Sequence, residues 1–288
     1  KQPNIEVMEI VFTDTDELRR YVQGVDGTMS LATLRPAFTL ARKAVIDTVG
    51  EKVYLALAEE HGEPVYEAIR MAVANYAMFK HLIFWATSRG NTDQQLYKYQ
   101  YEEIKDEYIS QFWAAMDTLL LWLDENPETG GYSSGVLYQE RQTMPVHDAL
   151  EFDHYYGIDR SPYFYSKVLF LMRKIVKENI LPRTGDLSKI EDASLLDRIR
   201  RCLCWHVMAE AVMKFDLTEL PRSTRWDLAH EFTKTGSQMQ VREKLYSNLM
   251  SEVDGWYTDI EEAVRLMRGA ADRVANSNEE RNKYYATI

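Results

Sequence analysis

The feature that most constrains this chain is the return of apolar side chains at every third or fourth position, over long stretches that contain almost no helix breaker. An α-helix turns once in about 3.6 residues, so this spacing lines one helix face with hydrocarbon that a second helix must cover. Ser30 opens one such stretch, whose stripe is Leu31, Leu34, Phe38, Ala41, Val45 and Val49, and Gly50 stands where a left-handed C-terminal cap belongs. Pro36 either marks the first turn of this helix or kinks it, since proline lacks the amide donor and clashes with the preceding turn. Glu63-Pro64 starts a second helix carrying Val65, Ile69, Val73, Tyr76, Phe79 and Ile83, which stops before Gly90. A third runs through Tyr97, Tyr101, Ile104, Tyr108, Phe112, Met116, Leu119 and Leu123 and ends before Pro127. Residues 30–125 therefore read as one bundle of three helices.

Residues 1–29 read as an N-terminal arm and a short helix. Ile5 to Phe12 fits one short strand or an extended arm, and Thr13-Asp14-Thr15-Asp16-Glu17 is a capping sequence for a helix that reaches Val22 and ends at Gly24 to Gly27. Between 126 and 160 the period is lost: Pro127, Gly130-Gly131, Ser133-Ser134-Gly135 and Gly157 interrupt it, and the segment reads as a long linker, binding loop or hairpin. Tyr132, Tyr138, Phe152, Tyr155 and Tyr156 argue against plain disorder there.

Residues 161–288 read as a second bundle with a C-terminal tail. Ser161-Pro162 caps a helix with Phe164, Val168, Leu171 and Ile175; Glu191-Asp192 precedes Leu196, Ile199, Leu203, His206 and Met208. The last helix carries Val241, Leu245, Leu249, Val253, Trp256, Ile260, Val264 and Met267 and continues toward Tyr285. Ser30 answers to Ser161 and Glu63 to Glu191, as in a degenerate internal duplication. The expected fold is mainly α, with two helical-bundle units of about three long helices each.

Composition narrows the function classes. Thirty-four basic against 45 acidic residues leave a net charge of −11, which opposes binding by neutralised phosphates. No apolar run approaches the roughly 18 residues that cross a bilayer, and no leader of the secretory kind is read at the start. Cys202 and Cys204 are two apart on a helix, point to nearly opposite faces and do not easily pair, which fits a reducing compartment.

The sharpest enzymatic candidate is a carboxylate-histidine metal site. Glu151 with His154, and Asp227 with His230, are spaced i, i+3, the half-site spacing of helical di-iron and di-manganese centres; Glu102, Glu103 and Glu210 could complete one. Asp replaces Glu in the second pair, and the first falls in the non-periodic segment. His147-Asp148 beside Glu151 and His154 could form a smaller cluster, but reads more simply as a solvated polar loop. Cys204 and His206 suggest a nucleophile with its base, yet on a helix they point apart and a buried thiol is the simpler reading. Tyr97, Tyr99, Tyr101, Tyr108, Phe112 and Trp113 could stack bases, but Glu102, Glu103, Asp106 and Glu107 would repel phosphates, so packing or a protein interface fits better. Phosphate-binding glycine loops, Gly-x-Ser-x-Gly elbows and Cys-x-x-Cys pairs do not occur.

One group of motifs is familiar. Asp16-Glu17-Leu18-Arg19-Arg20-Tyr21-Val22, then Ser30-Leu31 with Leu34-Arg35-Pro36, then Ala41 to Val49 ending in Gly50, and Val53-Tyr54 with Leu57, resemble the opening of the head-to-tail connector (adaptor or neck) proteins of tailed bacteriophages, in the variant carried by phages and prophages of gut Bacteroidetes. The resemblance covers about residues 14 to 60, with helix order agreeing as far as Leu123. It implies a helical virion protein, assembled in the bacterial host cytoplasm, that forms a ring-like homo-oligomer between the portal protein and neck or tail proteins. It further implies no enzymatic activity, no cofactor and no membrane, with DNA passing through the ring without specific binding. The acidic balance suits a channel to which DNA must not adhere. Members are typically about half this length, so the second half and the 126–160 segment depart from the pattern.

Overall fold

The computed structural model describes residues 12–25, 29–59, 64–88, 98–235 and 237–277, and among them every regular element is helical. The chain divides into two compact units, residues 1–143 with 159–167 and residues 144–158 with 168–288.

In the first unit α1 (Thr15–Leu18) is capped by Asp14, whose carboxylate accepts from the Glu17 amide. Helix α2 (Leu31–Val49) starts at Ser30, which accepts from the Thr33 amide, and ends at Gly50, whose φ of 91° is open to glycine at little cost. Pro36 lies well inside α2, so it is not a first-turn proline. Helices α3 (Glu51–Glu59), α4 (Pro64–Ser88) and α5 (Lys98–Glu125) follow, and α4 packs against both α2 and α5. This central position explains its small residues: Ala68, Ala72, Ala74 and Ala77 are buried beside Val65, Ile69 and Val73 and let two neighbours approach. The buried stripe drifts along α4, as 3.6 residues per turn requires, so that Met78 and Leu82 are buried near its end while Ile83 is exposed. From α5, Phe112, Met116, Leu119 and Leu123 close the core.

The expected 126–160 loop is a chain of short helices instead: a 3-10 turn (Thr129–Ser134), α6 (Val136–Gln142) and α7 (Ala149–Tyr155). Each spans about two turns and buries at most two side chains, α6 none, too few for a periodic stripe to show. The 3-10 turn lies on α3 so closely that a Cβ at Gly130 would stand 2.6 Å from the Val53 Cα. Tyr132 is buried there, donating to Asp124 at 3.4 Å, and Arg141 pairs with Asp124 at 2.7 Å while covering the Tyr138 ring at 4.4 Å. The segment is thus shared between the units rather than linking them, and the expected boundaries at 126 and 160 give way to a division after Thr143.

Asp159 and Arg160 take left-handed conformations, φ 57° and 52°, and turn the chain into Ser161 and α8 (Pro162–Ile175). Asp117 of α5 sits against this start, accepting from Ser161 Oγ at 2.7 Å and from the Tyr163 amide at 2.9 Å. Up to Lys167 this helix belongs to the first unit, where Tyr163 meets Phe112 and Trp113 edge-on.

In the second unit α8 passes through a π turn (Val176–Ile180) into α9 (Leu181–Thr184), which ends at Gly185. Helix α10 (Ala193–Lys214) begins at Asp192, whose carboxylate accepts from the Ser194 amide at 2.8 Å, and is buried on nearly every side from Cys202 to Val212. Helix α11 (Arg222–Thr235) precedes α12 (Gln238–Ser277), about 60 Å long at 1.5 Å per residue. Arg242 donates to the carbonyls of Val212 and Phe215 while Val253 faces Cys202, so α10 and α12 run antiparallel. The caps at Ser30 and Ser161 match, but the π turn, α9 and α11 have no place in the repeat read from the sequence, so the duplication rests on caps alone. The proposed arm from Ile5 falls outside the described residues except for Phe12, which is buried against Tyr21 and Phe38; the end of the tail, toward Tyr285, also falls outside.

Candidate functional site

Helix α7 does carry Glu151 and His154 on one face, as their spacing requires, but both are occupied in the fold. Glu151 accepts the His147 amide at 2.8 Å and pairs with Arg200 at 3.2 Å, while Asp148 accepts the Glu151 amide at 2.8 Å. Asp148 thus caps the helix while Glu151 holds the amide just before the cap and is tied to α10 by an arginine. The His154 ring lies edge-on to Tyr155 at 4.9 Å. Asp227 and His230 are exposed on α11, Glu102 and Glu103 are exposed at the start of α5, and Glu210 pairs with Lys214 one turn further along α10. Among the described residues no three of His, Cys, Asp and Glu are grouped to hold a metal ion, so the two pairs do not converge.

Cys204 and His206 likewise belong to the core. Burial holds the Cys204 thiol well above its ordinary range and pushes Cys202 up to about 12, so neither offers a thiolate. The His206 Nδ1 lies 2.8 Å from the Tyr257 hydroxyl, and burial lowers the pKa of the imidazole. The Arg183 guanidinium covers the other side of this seam, 4.4 Å from the Tyr257 ring centre. Neither Tyr257 nor Arg183 was legible as a partner of His206, because each comes from a different helix.

Of the aromatic face on α5, Tyr108, Phe112 and Trp113 are buried, and Tyr108 donates to the Gln23 carbonyl at 2.9 Å. Tyr99 stands largely in water and Tyr101 is half-buried, while Tyr97 lies outside the described residues. A cavity of about 230 Å³ lies in the first unit among Met29, Met78, His81, Leu82, Ile104 and Tyr108. It is mostly apolar, with Gln23, His81 and Glu107 also among its lining residues, and burial lowers the pKa of the His81 imidazole.

The outward surfaces are more informative. Trp226, on α11, is 72% exposed, and Leu40, Leu121, Val136, Leu150, Phe170 and Leu266 are bulky apolar side chains left in water on well-formed helices. An exposed Leu is ordinary, but an exposed Trp is not, since its large amphipathic ring favours buried positions and dominates interface energetics. Arg222 and His230 lie one turn away from it on either side and are also exposed. In the second unit a groove of about 530 Å³ opens between α9 and α12, walled by Pro182, Arg183, Glu261, Val264, Arg265 and Arg268. Among the described residues no helix is long and apolar enough to cross a membrane.

In comparison with known proteins, residues 38–134 fit the model of a family of unknown function, DUF6712. That stretch is about a third of the chain, lies entirely in the first unit and runs from within α2 to the 3-10 turn on α3. No curated protein and no solved structure matches the chain.

Proposed function

We propose that the protein is a structural component of a bacteriophage or prophage virion, a head-to-tail connector that is held between protein neighbours and oligomerises in a ring bridging the portal to neck or tail proteins. The observation that carries this reading is Trp226, a bulky aromatic side chain presented to solvent on a formed helix. A ring subunit must keep such anchors bare until neighbours cover them. The polar groups that invite a catalytic reading instead serve the fold: Asp148 caps α7, Glu151 is tied to α10, and His206 and Cys202 satisfy a buried seam. The resemblance of residues 14 to 60 supplies the kind of assembly, and the net charge of −11 suits a channel for DNA.

The test is a pull-down of the full chain by the portal protein encoded beside it, read by size exclusion with light scattering. A complex larger than the portal ring alone, lost in Trp226→Ser while helicity is unchanged, is the expected result. A chain that neither joins portal nor self-associates, from a gene flanked by metabolic rather than capsid, terminase and portal genes, overturns the reading.

A further inference from the structure

The groove between α9 and α12 runs against the charge of the molecule. Three guanidiniums, those of Arg183, Arg265 and Arg268, face it with a single carboxylate, Glu261, in a chain of net charge −11. Arg183 is committed to the fold: it pairs with Glu261 at 2.8 Å and lies over the Tyr257 ring. Arg265 reaches Glu262, one turn back on its own helix, at 3.6 Å, with both side chains largely in water, a pair that contributes almost nothing. Arg268 makes no ion pair among the described residues and approaches the backbone at Gly185. Two guanidiniums are thus available to an incoming acidic surface.

The rim says what kind of surface. Leu266 and Met267, adjacent to Arg265 and Arg268 along α12, are exposed apolar side chains. Hydrocarbon beside guanidinium fits a protein helix with an acidic and partly aromatic face better than a free inorganic anion. The chain carries such a face itself. At the start of α5, Glu102, Glu103 and Glu107 are exposed together with Tyr99, spaced so that Tyr99, Glu103 and Glu107 follow one another at four-residue steps. Lys105 offsets part of this charge, 3.4 Å from Glu102.

We propose that the α9–α12 groove of one copy receives the acidic first turns of α5 of a second copy, with Glu103 and Glu107 directed at Arg265 and Arg268. This rests on the self-assembly reading and supplies its lateral contact. Groove and mate are different patches, so the contact is heterologous, and each subunit can both give and receive, which is the condition for ring closure.

Sedimentation velocity of the full chain over a range of concentration and salt tests it. The wild-type chain should assemble, and assemble less as salt rises. R265E/R268E and E103R/E107R should each weaken self-association by roughly a hundredfold or more, because like charges then meet across the contact. All of these side chains are exposed, and circular dichroism checks that the variants fold. Mixing the two variants should restore assembly with the two chains alternating, since the reversed groove of one then meets the reversed face of the other and the unchanged groove meets the unchanged face. Placing all the reversals in one chain should restore assembly. Reversal variants that assemble like wild type overturn the groove and leave the self-assembly reading standing. R265E/R268E that self-associates normally but no longer binds portal assigns the groove to that partner and overturns the second copy as occupant. A wild-type chain that stays monomeric throughout overturns the groove contact, and overturns the proposed function as well if it also fails to join portal.

Discussion

The two units solve the same problem in opposite ways. Each has a central helix that cannot avoid burying polar atoms, α4 in the first and α10 in the second. The first unit buries an ion pair: Arg70 of α4, almost fully enclosed, pairs with Glu17 and lies over the rings of Phe12, Tyr21 and Tyr66 at 4.9, 4.6 and 5.4 Å. The hydrogen bond from Arg70 holds the Glu17 carboxyl down to about 2. Around α10 the second unit buries neutral groups, His206 against Tyr257 with Cys202 beside them, and burial keeps the imidazole and the thiol uncharged. A buried ion commits the fold to its partner, whereas a neutral seam gives up less when one member is changed.

That contrast breaks most sharply at Glu17. Glu17→Gln leaves the Arg70 guanidinium enclosed without a counter-ion and should cost about 3 to 5 kcal/mol in chemical denaturation of the first unit. Glu17→Gln combined with Arg70→Met should cost less than Glu17→Gln alone, and a double variant that is the worse of the two would show that the pair is not coupled.

Next in size is Asp117. Burial raises its carboxyl to about 6 from 3.8, against the hydrogen bonds from Ser161 and the Tyr163 amide. Its folded-state pKa is the higher one, so the first unit loses stability as pH rises from 3.8 through 6, by up to about 3 kcal/mol, and the cost is complete above 6. Asp117→Asn should flatten that slope in a pH series of denaturation midpoints. His206 acts with the opposite sign: its folded-state pKa lies below 6.5, so its contribution is complete above 6.5 and is lost as pH falls below it. Hydrogen exchange compared at about pH 7 and about pH 5 should therefore show the first unit slowing its opening while the α10–α12 seam opens faster. Parallel changes in both would erase the distinction.

Smaller still is Tyr257→Phe, which removes the hydroxyl facing His206 Nδ1 and should cost about 1 to 2 kcal/mol. The least effect on stability belongs to Trp226→Ser, within about 0.5 kcal/mol, because the ring touches little of its own chain. A larger loss would mean that Trp226 is part of the core rather than a contact surface.

Helix starts were legible because they depend on one or two residues with a local job: Asp14, Ser30, Asp192 and the Ser161-Pro162 pair all begin helices where the sequence places them. The long stripes of α2 and α5 were legible for the same reason, since each lies in consecutive turns. The segment from 126 to 160 was not, because Tyr132, Met144, Val146, Phe152 and Ile158 are buried by neighbours remote in sequence rather than by a stripe. Helix α11 escaped notice because two of its buried positions are Thr224 and Arg225, which no hydrophobic period reveals. The candidate site was least legible: Arg183 and Arg268 meet only because α9 folds back on α12, and the i, i+3 pairs that looked most chemical serve caps and surface instead.

The most direct measurement is native mass spectrometry of the full chain, alone and mixed with the portal protein from the same genome. A closed set of identical subunits, free of stoichiometric metal and joining portal, is the result this account predicts. A single chain at every concentration, carrying iron or manganese in fixed proportion and ignoring portal, would contradict it.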